Sequence, residues 1–192
     1  PGQGEQFFLE QYLEDDTSCF LLTGSQVFDV TYLGKLYNEA LLPVTVEGPL
    51  RTWFRPEPGE AYCIGADPAL GLSDSDESAA IVRKASTWQH VATLRGHIPP
   101  AEFAGRLAAL GQRYNNALLC VERNTYGAHV LFELLDRLRY STLYLHSRLT
   151  ENGDDQYGFP TNQATKGPLI ARMKQLVAIG RPGWSSMDAE LI

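Results

Sequence analysis

Long apolar runs are absent from this sequence of 192 residues. No segment approaches the 18 or more consecutive apolar residues that a membrane-spanning helix needs. Residues 1–16, PGQGEQFFLEQYLEDD, are acidic where a secretory signal peptide is basic and then apolar. We therefore expect a cytoplasmic protein. With 44% hydrophobic residues the chain can bury a core, and we expect one domain with an appended arm.

Cysteine is scarce, and acidic residues outnumber basic ones. The three cysteines, Cys19, Cys63 and Cys120, include no CxxC pair, so the sequence indicates neither a zinc site nor a disulfide framework. A net charge of −7 disfavours a free-standing nucleic-acid binder, because such proteins gain affinity from cationic contacts to phosphate. A site built from carboxylates is the exception, since the divalent cations that it binds face the phosphates.

The most informative stretch is residues 61–82, AYCIGADPALGLSDSDESAAIV. An apolar run that ends in Asp67, a turn rich in Gly and Ser, and a second apolar run predict a β-hairpin with a carboxylate at a strand end. Strand side chains alternate between faces, so Asp67 shares a face with Cys63 and Gly65, which leave room for an ion. Asp76 opens the returning strand and is expected beside Asp67. The alternative is that these acids only end a strand and form a polar turn.

The other segments predict the order of the elements. Residues 1–58 are expected to form an arm, with a helix at 30–42 and a short strand at 52–54 within a proline-rich segment. Strands at 61–67, 78–83 and 88–95 are expected to form an antiparallel meander. They are followed by a helix to residue 114, a buried strand at 117–122, a helix at 127–139, a strand at 141–145 and a last helix at 163–179.

Three hairpin strands followed by helix, strand, helix and strand is the order of a ribonuclease H-like α/β fold, expected here over residues 59–192. Its mixed sheet has three antiparallel strands, then parallel strands, with flanking helices. A right-handed crossover allows the strand that ends at Glu122 to pair parallel beside the strand that ends at Asp67. Both carboxylates then emerge at the same edge of the sheet.

Four segments in order resemble the C-terminal nuclease domain of the large subunit of tailed-phage terminases. They are YCIGADPALGLSDSDESAAIV, YNNALLCVERN, TYGAHVLFEL and FPTNQATKGPLI. A fifth, FFLEQYLEDDTSCFLLTGSQVFD, resembles the segment that links the ATPase domain of those proteins to the nuclease. The resemblance covers residues 6–192.

The resemblance implies a metal-dependent endonuclease domain that cuts concatemeric DNA during packaging in the bacterial host cell. The implied partners are double-stranded DNA, the phage portal and the small terminase subunit. Asp67 and Glu122 are implied as catalytic acids that bind Mg²⁺ or Mn²⁺, two ions in the complete site. Asp76 is implied to contribute to a metal or its water shell.

The sequence departs from this family at two points. It contains no GxxxxGK[ST] loop of a packaging ATPase. The family's third acid would fall beyond Ile192, and Asp188 is more typical of the first turn of a helix than of a metal ligand. We therefore expect weak metal binding and low nuclease activity from these residues.

The expected chemistry requires these residue types. Two divalent ions can acidify an attacking water and stabilise the leaving oxygen of a phosphodiester, and such hard cations prefer carboxylate oxygens to His or Cys. Arg123 and Lys166 are candidate DNA contacts, although cations beside an acid are as often solvated ion-pair partners. The four histidines have no metal-like spacing and predict surface or loop positions. His129 is a candidate for orienting water or phosphate.

Two other functions stay open. A non-catalytic terminase fragment that binds DNA or packaging partners fits the missing third acid and the acidic charge. An actin-like or sugar-kinase-like nucleotide-binding domain shares the ribonuclease H-like sheet, but it requires a second phosphate loop in a second domain. Titrations with manganese and with ATP distinguish the three functions, because binding of metal without ATP indicates the nuclease.

Overall fold

The computed structural model describes residues 30–146 and 156–179. A six-stranded mixed sheet has the order β1-β2-β5-β4-β3-β6. Its strands are β1 (Thr45–Glu47), β2 (Leu50–Thr52), β3 (Tyr62–Asp67), β4 (Ser78–Lys84), β5 (His90–Gly96) and β6 (Leu118–Val121). The helices are α1 (Val30–Glu39), α2 (Pro100–Arg113), α3 (Gly127–Phe132) with a π-helical continuation (Glu133–Arg137), and α4 (Gln163–Ile179). Strands β7 (Leu145–His146) and β8 (Gln156–Tyr157) form a separate pair.

The ribonuclease H-like order predicted from the sequence is confirmed. Strands β3, β4 and β5 form the antiparallel meander, and β6 pairs parallel with β3, with Ala66 opposite Val121. Tyr62 and Ile64 are buried while Gly65 is exposed, as period-2 alternation requires. The buried face of the sheet therefore points to the core, and the face of β3 that carries Asp67 is the more open one.

Helix α2 supplies the apolar layer over the sheet. Its buried residues recur at helical spacing and join the sheet residues in one cluster: Phe103, Ala104, Leu107, Ala108 and Leu110. Pro100 stands in the first turn, where a missing N–H leaves no intrahelical bond unmade. The crossover from β5 through α2 to β6 thereby brings β6 beside β3. No helix in the described part of the chain is long and apolar enough to cross a bilayer.

The segment before residue 59 contributes more to the sheet than the sequence predicted. A hairpin of β1 and β2 joins the sheet edge, with Thr52 opposite Ala92 of β5. The expected strand at 52–54 instead ends at Thr52. Pro49 stands in the turn between the two strands, where the ladder needs no N–H from it, and its carbonyl accepts from the Arg95 N–H of β5 at 3.0 Å. The proline that argued for a loop is therefore compatible with a hairpin. Residues 45–52 therefore extend the six-stranded sheet.

Two further elements differ from their predictions. The helix expected at 127–139 widens into a π-helix at Glu133–Arg137, and Glu133 is buried there with its carboxylate 3.1 Å from the Arg137 guanidinium. The strand expected at 141–145 is reduced to a single parallel bridge between Leu143 and Leu119, followed by β7. Both differences lie beyond β6, where the apolar runs are short.

His90 is buried in the sheet rather than placed at the surface, so that expectation was wrong. Its ring lies 5.0 Å from the Trp53 ring, and its Nε2 is 3.1 Å from the Ala92 carbonyl oxygen and 2.8 Å from Thr93 Oγ1. Burial, followed by the positive charge of Arg83, lowers the pKa of His90 to about 4. Folding therefore favours the neutral imidazole.

The buried His90 predicts a loss of stability in mild acid. The unfolded chain protonates this residue near pH 6.5, and the folded chain resists protonation until about pH 4. The stabilising contribution is complete above the unfolded pKa and decreases as the pH falls through this window, by at most about 3 kcal/mol. Urea unfolding at pH 7 and pH 4.5 should show that the free energy of unfolding decreases less in His90→Gln than in the wild type. His97 is exposed, so His97→Gln should lose as much free energy of unfolding between pH 7 and pH 4.5 as the wild type does. If the two variants lost the same amount, His90 would not be the residue responsible.

Candidate metal centre

Asp67 and Glu122 meet at the ends of two adjacent parallel strands. Asp67 is the last residue of β3, and Glu122 directly follows β6. The Glu122 backbone N–H donates to the Ala66 carbonyl at 2.8 Å, which continues the parallel ladder as far as the acid. The prediction that the two carboxylates emerge at one edge of the sheet is confirmed. Asp67 is exposed and Glu122 is half-buried, so solvent and ions reach both.

The electrostatics of this pair favour a bound cation. Partial burial at the strand end, a hydrogen bond with the Glu122 carboxyl group, and the negative charges of Glu122 and Asp76 raise the pKa of Asp67 to about 6. Two carboxyl groups this close cannot both ionise without mutual repulsion. A divalent cation relieves that repulsion, and its preferred ligands are carboxylate oxygens.

Asp76 contributes charge from the turn rather than from the strand. It lies exposed in the β3–β4 connection, ahead of the first β4 residue, Ser78. Within residues 30–146 and 156–179, no three His, Cys, Asp or Glu side chains are grouped so as to hold a metal ion. Asp67 and Glu122 therefore form a pair, and Asp76 adds a third negative charge nearby. Asp188, the other acid considered from the sequence, lies outside the described residues.

The segment after Glu122 holds its backbone in place. Gly127 opens helix α3, and its N–H donates to the Asn124 carbonyl at 2.8 Å. A Cβ atom at Gly127 would lie 1.6 Å from the Glu122 carbonyl oxygen, so only glycine allows the chain to return this closely. Asn124 Nδ2 also donates to Glu122 Oε1 at 3.2 Å. Sequence analysis missed Asn124, although its place two residues after the acid was visible in VERN.

The FPTNQAT segment starts helix α4 close to the acid pair. The Arg123 N–H donates to the Phe159 carbonyl at 3.0 Å, and the Phe159 N–H donates to the Val121 carbonyl at 2.8 Å. Asn162 Oδ1 accepts from the Thr165 N–H at 3.1 Å, and Thr165 Oγ1 accepts from the Asn162 N–H at 2.9 Å. These reciprocal bonds form a capping box at the start of α4. This segment therefore caps the start of α4 and holds it beside the end of β6.

The three candidate DNA contacts surround this region in different settings. Lys166 is exposed in the first turn of α4. The Arg123 guanidinium is engaged with the Gln156 side chain. His129 is exposed on α3, with its Nε2 3.5 Å from the carboxylate of the buried Glu133.

Solved structures with similar folds include nucleases of phage terminases. The large terminase nuclease from thermophilic phage G20c with bound magnesium is 22% identical, with a TM-score of 0.59 over 82% of this chain and 74% of that chain. Its zinc-bound form is 22% identical, with a TM-score of 0.59 over 83% and 82% of the two chains. The large terminase nuclease domain of Thermus phage P74-26 is 22% identical, with a TM-score of 0.56 over 79% and 72%.

Neither a protein-family model nor a curated protein matches the sequence, so the likeness rests on structure. It extends over about four-fifths of this chain. The chain therefore has the ribonuclease H-like fold of the phage large terminase nuclease domains.

Proposed function

We propose that this chain is the metal-dependent endonuclease domain of a phage DNA-packaging terminase, and that it cuts concatemeric DNA by hydrolysing phosphodiester bonds. The observation that supports this most is the meeting of Asp67 and Glu122 at the ends of parallel strands. The pair lies on a fold shared with nucleases that have been crystallised with magnesium, cobalt and zinc.

The donor set fits a hard divalent cation. The Asp67 and Glu122 carboxyl groups are both accessible to solvent and repel each other when ionised, and positive charge relieves that repulsion. Asp67 and Glu122 would hold Mg²⁺ or Mn²⁺, and a second ion in the complete site requires ligands beyond this pair. When bound, the metal makes a water more acidic and stabilises the leaving oxygen.

The residues around the pair have separate tasks. Without metal, the charges of Asp67, Glu122 and Asp76 repel the DNA backbone, so productive DNA binding depends on the cation. Lys166, at the exposed start of α4, attracts a backbone phosphate, while Arg123 and His129 are secondary contacts. Double-stranded DNA is the proposed substrate. The phage portal and the small terminase subunit are the proposed partners, in the cytoplasm of the bacterial host.

Nicking of supercoiled plasmid in Mn²⁺ tests the proposal. We expect slow, EDTA-sensitive nicking by the 192-residue chain, because the described acids form a pair rather than a full two-ion site. Glu122→Gln should reduce the rate by roughly 10²-fold or more, since it removes a charged ligand of the ion. Glu102→Gln, on the exposed side of α2 and paired with Arg106, is the matched control and should cut normally. Equal nicking by the wild type and Glu122→Gln would reject the site.

A non-catalytic fragment is the second candidate, and two observations favour it. No three potential ligands are grouped among the described residues, and the net charge of −7 opposes DNA binding. This alternative predicts no cleavage at any Mn²⁺ concentration, even if the metal raises the melting temperature. ATP should leave the melting temperature unchanged under both proposals, and stabilisation by ATP would instead indicate a nucleotide-binding domain.

A further inference from the structure

The Asn124 side chain connects two parts of the candidate site that are distant in sequence. Its Nδ2 donates to Glu122 Oε1 at 3.2 Å and to the Thr161 carbonyl oxygen at 2.6 Å. Both partners accept hydrogen bonds only, so the amide must turn its NH₂ group towards them. The Asn124 amide therefore holds the Glu122 carboxylate against the segment that starts α4.

This contact suits the orientation of a metal ligand. A glutamate side chain has several rotatable bonds, and restricting them on metal binding costs up to about 2 kcal/mol. The bond from Asn124 occupies one lone-pair position of the Glu122 carboxylate, which has further positions to offer a cation. The donor is also neutral, so it orients the carboxylate without cancelling the charge that attracts the metal.

The fold near Asn124 does not depend on its side chain. Backbone hydrogen bonds from Arg123 to Phe159 and from Phe159 to Val121 already join the two segments. The capping box of Asn162 and Thr165 starts α4 by itself. Asn124 is exposed, so its truncation leaves no cavity. A purely structural role for this side chain is therefore small.

We propose that Asn124 is a positioning residue that presents the Glu122 carboxylate to the divalent ion and links it to the start of α4. The inference rests on the proposed metal-dependent nuclease function. Groups that orient a metal ligand by hydrogen bonding typically contribute 10- to 100-fold to metal affinity. Asn124→Ala should weaken Mn²⁺ binding by about 10-fold or more.

The test is a Mn²⁺ titration of four forms of the 192-residue chain, in which the electron paramagnetic resonance signal of the free ion measures how much Mn²⁺ stays unbound. Asn124→Ala should raise the dissociation constant about 10-fold while its metal-free melting temperature stays within about 2 °C of wild type. Asn115→Ala is the matched control: it removes an asparagine that likewise donates to two backbone carbonyls, those of Glu57 and Glu60, but it precedes β6 at the end opposite Glu122. It should lower stability and leave Mn²⁺ affinity unchanged. Glu122→Gln should lose most of the binding.

A second readout separates positioning from direct catalysis. At saturating Mn²⁺ the maximal nicking rate of Asn124→Ala should approach that of wild type, because the metal concentration compensates for the disordered ligand. If Glu122→Gln loses Mn²⁺ and Asn124→Ala binds it as tightly as wild type, the positioning role alone is rejected. If Glu122→Gln itself binds Mn²⁺ normally, the proposed metal site is wrong and the positioning role is rejected with it.

Discussion

Gly127→Ala is expected to destabilise the protein by about 3 kcal/mol or more and to abolish Mn²⁺ binding. The added Cβ would lie 1.6 Å from the Glu122 carbonyl oxygen and 2.7 Å from its carbonyl carbon. These are backbone atoms, so no side-chain rotation relieves the clash. Either α3 or the Glu122 backbone must move, and the latter is fixed by its bond to Ala66. The substitution therefore acts on the fold and on the metal ligand together.

Urea unfolding and the Mn²⁺-dependent rise in melting temperature measure the two effects of Gly127→Ala. Gly105→Ala is the matched control, because Gly105 lies within α2 and a Cβ there meets no atom within 4 Å. Alanine in a helix is favoured over glycine, so Gly105→Ala should raise the free energy of unfolding by up to about 1 kcal/mol. If the two variants were equally stable, the close approach at Glu122 would be refuted.

Asp67→Asn is expected to abolish Mn²⁺ stabilisation and to reduce nicking on the order of 10³-fold, while raising the stability of the metal-free protein at pH 7. The pKa of Asp67 rises from 3.8 to about 6 in the folded state. Its stabilising contribution is therefore complete below pH 3.8 and is lost as the pH rises through 6. Asparagine removes the ionised carboxylate that repels Glu122 at pH 7. Because Asp67 is exposed, solvent screening reduces the expected gain to about 1 kcal/mol.

Thermal melts at pH 4 and pH 7, with and without Mn²⁺, separate these effects of Asp67→Asn. The gain over wild type should be present at pH 7 and small at pH 4, where the wild-type carboxyl group is largely protonated. Asp74→Asn, at an exposed acid in the same turn, should retain Mn²⁺ stabilisation and show no comparable gain. If Mn²⁺ stabilised Asp67→Asn as much as wild type, Asp67 would not be a ligand.

Local patterns in the sequence were enough to predict the frame of the site. Alternating apolar residues and a Gly- and Ser-rich turn predicted the β3–β4 hairpin, whose first strand ends in Asp67, and helix α4 spans Gln163–Ile179 as expected. These signals act over a few neighbouring residues, because strand alternation, turn preferences and helix caps depend on adjacent backbone groups. The parallel pairing of β3 and β6 followed from the right-handed crossover rule.

Apart from the pairing of β3 with β6, tertiary structure decided which distant segments meet. Strands β1 and β2 have three residues each, too few to show a period. They are defined by their pairing, β1 with β2 and β2 with β5. His90 looks polar in the sequence and is buried because the sheet folds around it beside Trp53. The hydrogen bond from Asn124 to Thr161 spans 37 positions. Hydrogen bonding and burial between remote segments depend on the assembled fold, and no local pattern of residues encodes them.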